Sequence, residues 1–252
     1  VFDDKKKTMK KTTHLPALSV IVPVKNEAEN VTTLVKEIAD TLTGAFQFEI
    51  IYVNDGSTDQ TLQNLKDLRA TVPELRVLTH VASRGQSAAV HTGVQYAKHD
   101  WIGVLDGDGQ NDPADLHTLW AWVAAQETPY CMAIGRRTKR QDDGVRKLAS
   151  RCAADARRWL LKDGVPDSGC GIKILQREVF LSLPYFDHMH RFMPTLMARI
   201  GAKVASIPVA HRSRTQGVSK YGTLDRALVG IVDILGVLWL KKRYKIREVI
   251  EE

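Results

Sequence analysis

Three short apolar runs in this chain each end in a cluster of polar side chains, and that repetition narrows the folds open to it. Residues 18–24 (Leu-Ser-Val-Ile-Val-Pro-Val) lead into Lys25, Asn26 and Glu27. Residues 48–53 lead into Asn54, Asp55, Ser57 and Asp59. Residues 101–105 (Trp-Ile-Gly-Val-Leu) lead into Asp106-Gly-Asp-Gly-Gln-Asn-Asp-Pro. Runs of this length and composition read as buried strands. Helical spacing fills the intervals: Val31, Leu34, Val35 and Ile38, then Leu62, Leu65 and Leu68, then a helix over about 85–98. A short strand is expected over 76–79. Strands alternating with helices predict a parallel sheet with right-handed crossovers. Ligands of such sheets bind outside the carboxyl ends of the strands, where all three polar clusters fall. Neither GxGxxG nor GxxxxGK[ST] occurs, which removes the main support for dinucleotide-binding and P-loop readings.

The third cluster carries the most chemistry. Its carboxylates and carboxamides crowd one strand end, and like charges repel. A divalent cation bound beside a phosphorylated ligand would account for them. The net charge of +7 suits an anionic partner. The absence of an arginine–aromatic stripe or zinc-knuckle pattern argues against nucleic acid. Cys131, Cys152 and Cys170 form no CxxC pair and read as reduced thiols of a cytosolic protein. Residues 1–14 are polar and lysine-rich without an apolar h-region, so no signal peptide is expected, and Met9 could be the natural start.

The second half is less regular. Residues 131–134 read as a strand ending in Gly135, Arg136 and Arg137. Residues 145–160 place apolar side chains on one helical face and Arg146, Lys147, Arg151, Arg157 and Arg158 on much of the rest. That pattern fits either a helix on a membrane surface or a solvated helix on the core. The apolar run 227–240 precedes Lys241-Lys-Arg-Tyr-Lys245. It is too short to span a bilayer and fits an interfacial helix with an aromatic and basic edge. The same run would also serve as a core helix, or as one covered by a partner such as a second copy or a small membrane protein.

Six segments in order bring out a resemblance. Residues 19–27, 53–59 and 106–113 resemble the successive motifs of inverting family 2 glycosyltransferases with the GT-A fold. Asp167-Ser-Gly-Cys-Gly171, His190-Arg-Phe-Met-Pro194 and Arg214-Thr-Gln-Gly-Val-Ser-Lys-Tyr-Gly222 are similar to the polyprenyl-phosphate branch, which includes dolichol-phosphate mannose synthases. The resemblance implies an α/β, Rossmann-like, mostly parallel sheet flanked by helices, with C-terminal amphipathic interfacial helices and no transmembrane span. It divides the chain into a tail over 1–16, the GT-A domain over 17–223, and a membrane-proximal helix with a charged tail over 224–252.

The resemblance also implies roles. Pro23, Lys25, Glu27, Asp55, Asp106 and Arg137 are expected around the nucleotide. Lys25 departs from the aromatic or small residue common there. Asp106, Asp108 and Gln110 are expected near Mg²⁺ or Mn²⁺, with Asp108 and Gln110 as the closer ligands. In an extended segment their alternation would turn them the same way. Asp112 is expected to start the next helix. Arg214 and Lys220 would place positive charge at the leaving diphosphate. Asp167 and Ser168 would line the sugar or acceptor side, with Asp167 as base if the acceptor were a hydroxyl. His190 and Arg191 would meet the sugar or the acceptor phosphate.

The expected activity is transfer of a hexose from a GDP- or UDP-sugar to a polyprenyl phosphate at the inner face of the membrane. The chain would act as a peripheral protein on an anionic surface. Two competing readings are a transferase to a saccharide or protein hydroxyl, and a nonenzymatic nucleotide- or membrane-binding module.

Overall fold

The computed structural model describes residues 15–138, 157, 159–162, 164–212 and 223–245, with only the backbone for 223–228. Most of the helix expected over 145–160, the loop carrying Arg214 and Lys220, and both chain ends lie outside these residues.

The first half follows the alternation read from the sequence. Strands β1 (Ala17–Val24), β2 (Gln47–Asp55), β3 (Leu75–His80) and β4 (Trp101–Val104) alternate with helices α1 (Val31–Leu42), α2 (Thr61–Leu68) and α3 (Gln86–Gln95). β1 pairs in parallel with β2 and β4, and β2 pairs in parallel with β3. The apolar runs sit in the interior: Val20, Ile21, Ile50, Ile51, Val53 and Ile102 are fully buried. Helix α1 turns Val31, Leu34, Val35, Ile38 and Leu42 onto the sheet, the face its spacing dictates.

The second half supplies helix α4 (Asp115–Ala124), β5 (Cys131–Arg137), β6 (Lys173–Gln176), α5 (Arg177–Leu181), α6 (Met193–Arg199), β7 (Lys203–Val209) and the long helix α7 (Thr223–Arg243). A 3₁₀ turn, Met189–Arg191, lies between α5 and α6. The seven strands form one sheet in the order β3-β2-β1-β4-β6-β5-β7. β6 runs antiparallel to both neighbours, and β7 is parallel to β5. Strands β6 and β7 are absent from the sequence reading. No helix of the described residues is long and apolar enough to cross a membrane.

One polar cluster braces the sheet away from the ligand edge. Glu49 on β2 is buried beside Ser19 on β1. Its Oε1 accepts from Ser19 Oγ at 2.6 Å and from the Lys98 backbone N–H at 2.6 Å, and Arg76 pairs with Oε2. Burial alone would raise this carboxyl. The bonds from Ser19 and Lys98, together with the bond and charge of Arg76, outweigh it and hold Glu49 below the usual range. A depressed folded pKa stabilises the protein above the unfolded value, and that stability is lost as pH falls through the folded value. Glu49→Gln is therefore expected to cost about 2 kcal/mol at pH 7, with the gap to the parent narrowing below about pH 4. Denaturant titrations of both proteins at pH 7 and pH 3 check this.

Candidate active site

Strand β4 delivers the acidic cluster to the carboxyl edge of the sheet. Leu105 still bonds to Ile21, its N–H donating to the carbonyl at 3.0 Å. The chain then turns over residues 107–109, with Gly109 at φ +72°. The expected extended alternation is thus corrected: a turn, not a strand, carries Asp106 and Asp108. Gly109 takes its left-handed conformation just after both carboxylates and turns the loop away, and the Asp108 charge acts on Asp106. Burial pushes the Asp106 carboxyl up. Lys173 pulls it down, the Asp108 charge pushes it up again, and Arg137 and a bond from Gln86 Nε2 (2.8 Å) also pull it down.

The rest of the loop is braced. Asp112 Oδ1 accepts from the Ala114 N–H at 3.0 Å, opening α4 as expected. Arg212 spans Glu37 (2.7 Å) and Asp112 (2.9 Å), and its backbone N–H donates to the Gln110 carbonyl at 3.0 Å. Asn111 also forms a β-bridge with His211.

The loops after β1 and β2 are laced together. Asn26 adopts φ 53°; its N–H donates to Ser57 Oγ at 2.9 Å, and its Oδ1 accepts from the Thr58 N–H at 2.8 Å. The Glu27 N–H donates to Thr61 Oγ1 at 2.8 Å, while its carboxylate accepts from Asn30 Nδ2 at 2.7 Å. Pro23, one residue before the end of β1, pairs with Val53, and Lys25, just past the strand, is exposed. Asp59 accepts from the Thr61 N–H at 3.0 Å, the helix-start role its position suggests. Asp55 is buried, and its two oxygens take four bonds. These come from His80 Nδ1 (2.7 Å), Ser83 Oγ (2.7 Å), and the N–H groups of Arg84 (2.7 Å) and Gly85 (2.9 Å). Burial raises this carboxyl, but those bonds together hold it below the usual range. In this geometry Asp55 fixes the loop between β3 and α3, which leads into Gln86 and Ser87.

A cavity of about 430 Å³ opens beside Asp106. Its lining includes Asp167, Ser168, His190 and Arg191, so four residues expected on the sugar or acceptor side share one space with Asp106. Arg137 grips Asp167 bidentately, Nε to Oδ2 at 2.7 Å and Nη2 to Oδ1 at 2.8 Å. This pairing commits both side chains to each other. The Ser87 hydroxyl accepts from the His190 backbone N–H at 3.3 Å and lies 2.7 Å from Nδ1. Burial, then the charges of Lys173, Arg191 and His188, push His190 down to about 3. The ring is neutral near pH 7, and in the tautomer protonated at Nε2, with the Ser87 hydroxyl donating to Nδ1, the Nε2 proton faces a ligand as a donor.

Helix α7 closes the cavity. Gly230, Asp233 and Ile234 line it, and Asp233 Oδ2 lies 3.1 Å from His188 Nδ1. The opposite face presents Val232 (68% exposed), Leu235 (61%) and Trp239 (59%) to the outside, and the helix ends in Lys241, Lys242 and Arg243. Trp159 is exposed as well, and Lys241 Nζ donates to the Leu161 carbonyl.

Arg214 and Lys220 lie outside the described residues. The sequence reading missed Gln86, Ser87, Lys173 and Asp233, all at or beside the cavity. Gln86 and Ser87 open α3 after the loop that follows β3, so the strand-end rule could have found them. Lys173 left only the trace of a charge inside an apolar run, and Asp233 that of one carboxylate in an apolar helix.

The residues fit a hard divalent cation held jointly with a ligand. Asp106, Asp108 and Gln110 offer oxygen donors, the set such ions prefer. Burial does most to raise Asp106, and the repulsion from Asp108 that adds to it is the kind a cation relieves. Among the described residues no group of three or more His, Cys, Asp or Glu side chains could hold a metal alone. Ligand oxygens would have to complete the shell.

Residues 19–183 match the sequence profile of "Glycosyl transferase family 2". The chain belongs to this family. It is 33% identical over 235 residues to the dodecaprenyl-phosphate galacturonate synthase of Rhizobium johnstonii, covering 91% of this chain and 68% of that protein. It is 31% identical to the undecaprenyl-phosphate 4-deoxy-4-formamido-L-arabinose transferase of Edwardsiella ictaluri, covering 82% of this chain and 63% of that one. The chain thus spans about two thirds of these curated relatives. Among solved structures, the fold is similar to the mannosyltransferase PcManGT of Pyrobaculum calidifontis in complex with GDP-Man and Mn²⁺. That match has a TM-score of 0.64 at 20% identity and covers 93% of this chain and 67% of that one. It is likewise similar to the Mycobacterium tuberculosis glucosyl-3-phosphoglycerate synthase with UDP, with a TM-score of 0.66 at 19% identity, covering 92% and 82%. The family membership makes the chain a glycosyltransferase, and the fold is GT-A-like.

Gly171 tests the site's geometry. A Cβ there would lie 2.2 Å from Asp106 Oδ2 and 2.5 Å from Asn111 Oδ1. Gly171→Ala is expected to displace the acidic loop, lowering turnover at least about tenfold while costing about 1–3 kcal/mol of stability. Steady-state kinetics beside a thermal melt check both.

Proposed function

We propose that this glycosyltransferase moves a hexose from a GDP- or UDP-sugar to a polyprenyl phosphate, with inversion, at the cytoplasmic face of a membrane. The observation that carries the reading is helix α7. Its inner face lines the cavity next to Asp106, while its outer face is apolar and its end basic. Such a helix suits a bilayer surface with anionic headgroups, where an acceptor with a lipid tail and a phosphate head would be met. The names of the relatives from Rhizobium and Edwardsiella, both acting on a polyprenyl phosphate, support the same acceptor class. A homo-oligomer or a small membrane partner could share the apolar face of α7.

The chemistry is direct displacement. An acceptor phosphate oxygen forms the new bond to the anomeric carbon, and the bond to the nucleoside diphosphate breaks, its electron pair leaving with the diphosphate. Asp106, Asp108 and Gln110 would hold Mg²⁺ or Mn²⁺, which neutralises charge on that leaving group. The Mn²⁺ in the PcManGT complex supports this choice of ion. Arg214 and Lys220 would add positive charge at the diphosphate, and Pro23, Lys25 and Glu27 would border the nucleoside. Asp55 acts there by holding the neighbouring loop in place. A phosphate monoester is largely ionised near pH 7 and needs no general base. That suits a cavity in which Asp167 is already paired with Arg137. Ser168, the Nε2 proton of His190 and the guanidinium of Arg191 then orient the sugar and acceptor.

A panel of labelled GDP- and UDP-sugars, offered undecaprenyl phosphate with and without Mn²⁺, tests the assignment. One donor should label the lipid only when metal is present. Label entering hydroxyl acceptors but never the lipid would overturn it. The combined variant Val232→Ser, Leu235→Ser, Trp239→Ser should lose at least about tenfold in binding to anionic liposomes in a sedimentation assay. Its turnover of a short-chain soluble acceptor should be retained.

A further inference from the structure

Lys173 is the only buried lysine among the described residues. An ammonium in the interior is costly and persists only where partners compensate it. Lys173 stands on β6 opposite Val104 of β4 and Ile134 of β5, two residues short of Asp106 in the β4 register. Its Nζ donates to the carbonyls of Cys170 (2.6 Å) and Gly171 (3.3 Å). Gly171 is the residue whose backbone presses against Asp106. One ammonium therefore anchors the strand entry that packs on the acidic loop, and it also borders the cavity.

The basic groups near it differ in burial and in commitment: Arg157 and Arg191 also line the cavity but are only partly buried. Asp106, Asp108 and Asp167 face Arg137 and Lys173, and Arg137 is committed to Asp167. That leaves Lys173 as the buried cation beside Asp106, whose charge is in turn coupled to that of Asp108. A metal ion approaching the pair meets this ammonium as well.

We propose that Lys173 is a resident counter-cation for Asp106 and Asp108, which keeps their own affinity for a divalent ion low and makes metal capture depend on the donor's diphosphate. The proposal rests on the metal reading above. With Lys173 in place, the two carboxylates are partly neutralised and a bare ion gains little. A diphosphate adds negative charge and oxygen ligands together and tips the balance. Lys173 is on this account a positioning residue that acts through Asp106.

Mn²⁺ binding by the full chain, read as the loss of the free-ion electron paramagnetic resonance signal, tests this without turnover. Wild type should bind Mn²⁺ at least about thirtyfold more tightly with UDP or GDP than without. Lys173→Met should bind Mn²⁺ alone about tenfold more tightly than wild type, and Lys173→Arg should behave as wild type. A residue that only props the backbone predicts the reverse, since its loss would loosen the acidic loop. Unchanged or weaker Mn²⁺ binding by a folded Lys173→Met therefore overturns the proposal. Should the methionine variant fail to fold, Lys173→Gln, which keeps a donor for the carbonyls, is held to the same outcome. Wild type that holds Mn²⁺ equally well without diphosphate overturns the proposal on its own. Wild type that binds no Mn²⁺ even with diphosphate overturns the metal reading and the proposal together.

Discussion

The antiparallel insertion of β6 between β4 and β5 sets the positions of everything at the ligand edge. A parallel strand in that place would be entered from the far end of the sheet. Because β6 runs the other way, the residues that precede it, 167–171, arrive beside the end of β4 where Asp106 stands. The contact is then backbone against carboxylate, and only a glycine at 171 allows that approach. Asp167, Ser168 and the Arg137 partner at the end of β5 follow from the same geometry. One strand direction thus brings the acidic loop and the cavity together.

Cross-bracing makes that edge rigid. Each strand-end loop is tied to another loop as well as to its own strand. Asn26 joins the turn at 57–58, Asp55 joins residues 83–85, and Arg212 joins Asp112 to Glu37. Polar groups that would be costly to bury alone are satisfied by one another. The outcome is a set of oxygen and nitrogen groups fixed before any ligand arrives, the condition under which electrostatic stabilisation is most effective.

The first half of the fold was legible because sequence and burial coincide there. β1, β2 and β4 are apolar runs closed by polar clusters, and the helices between them carry clean helical spacing. The second half lacked those signals. β6 has four residues and begins with a charge that interrupts the apolar run around it. β7 is an edge strand, mostly half-buried and carrying Pro208, and edge strands tolerate both. Of the site, the acidic loop and the cavity residues Asp167, Ser168, His190 and Arg191 could be named from motif order. Their pairings could not. That Asp55 would be saturated by its neighbours, or that Arg137 would spend its guanidinium on Asp167, depends on loops meeting from distant parts of the chain. Lys173 was hidden for the same reason: its importance comes from the strand beside it.

Helix α7 has a consequence for how substrate is found. Under the proposed docking, the wall of the reaction chamber is also the part of the protein immersed in lipid. An acceptor would then reach the cavity by sliding sideways within the leaflet, its tail never entering water. The search becomes two-dimensional, and the rate would follow the acceptor's density in the membrane rather than its amount per volume of cell. The nucleotide sugar would still arrive from solution at the strand ends, so each substrate would come from its own phase and meet the other at Asp106.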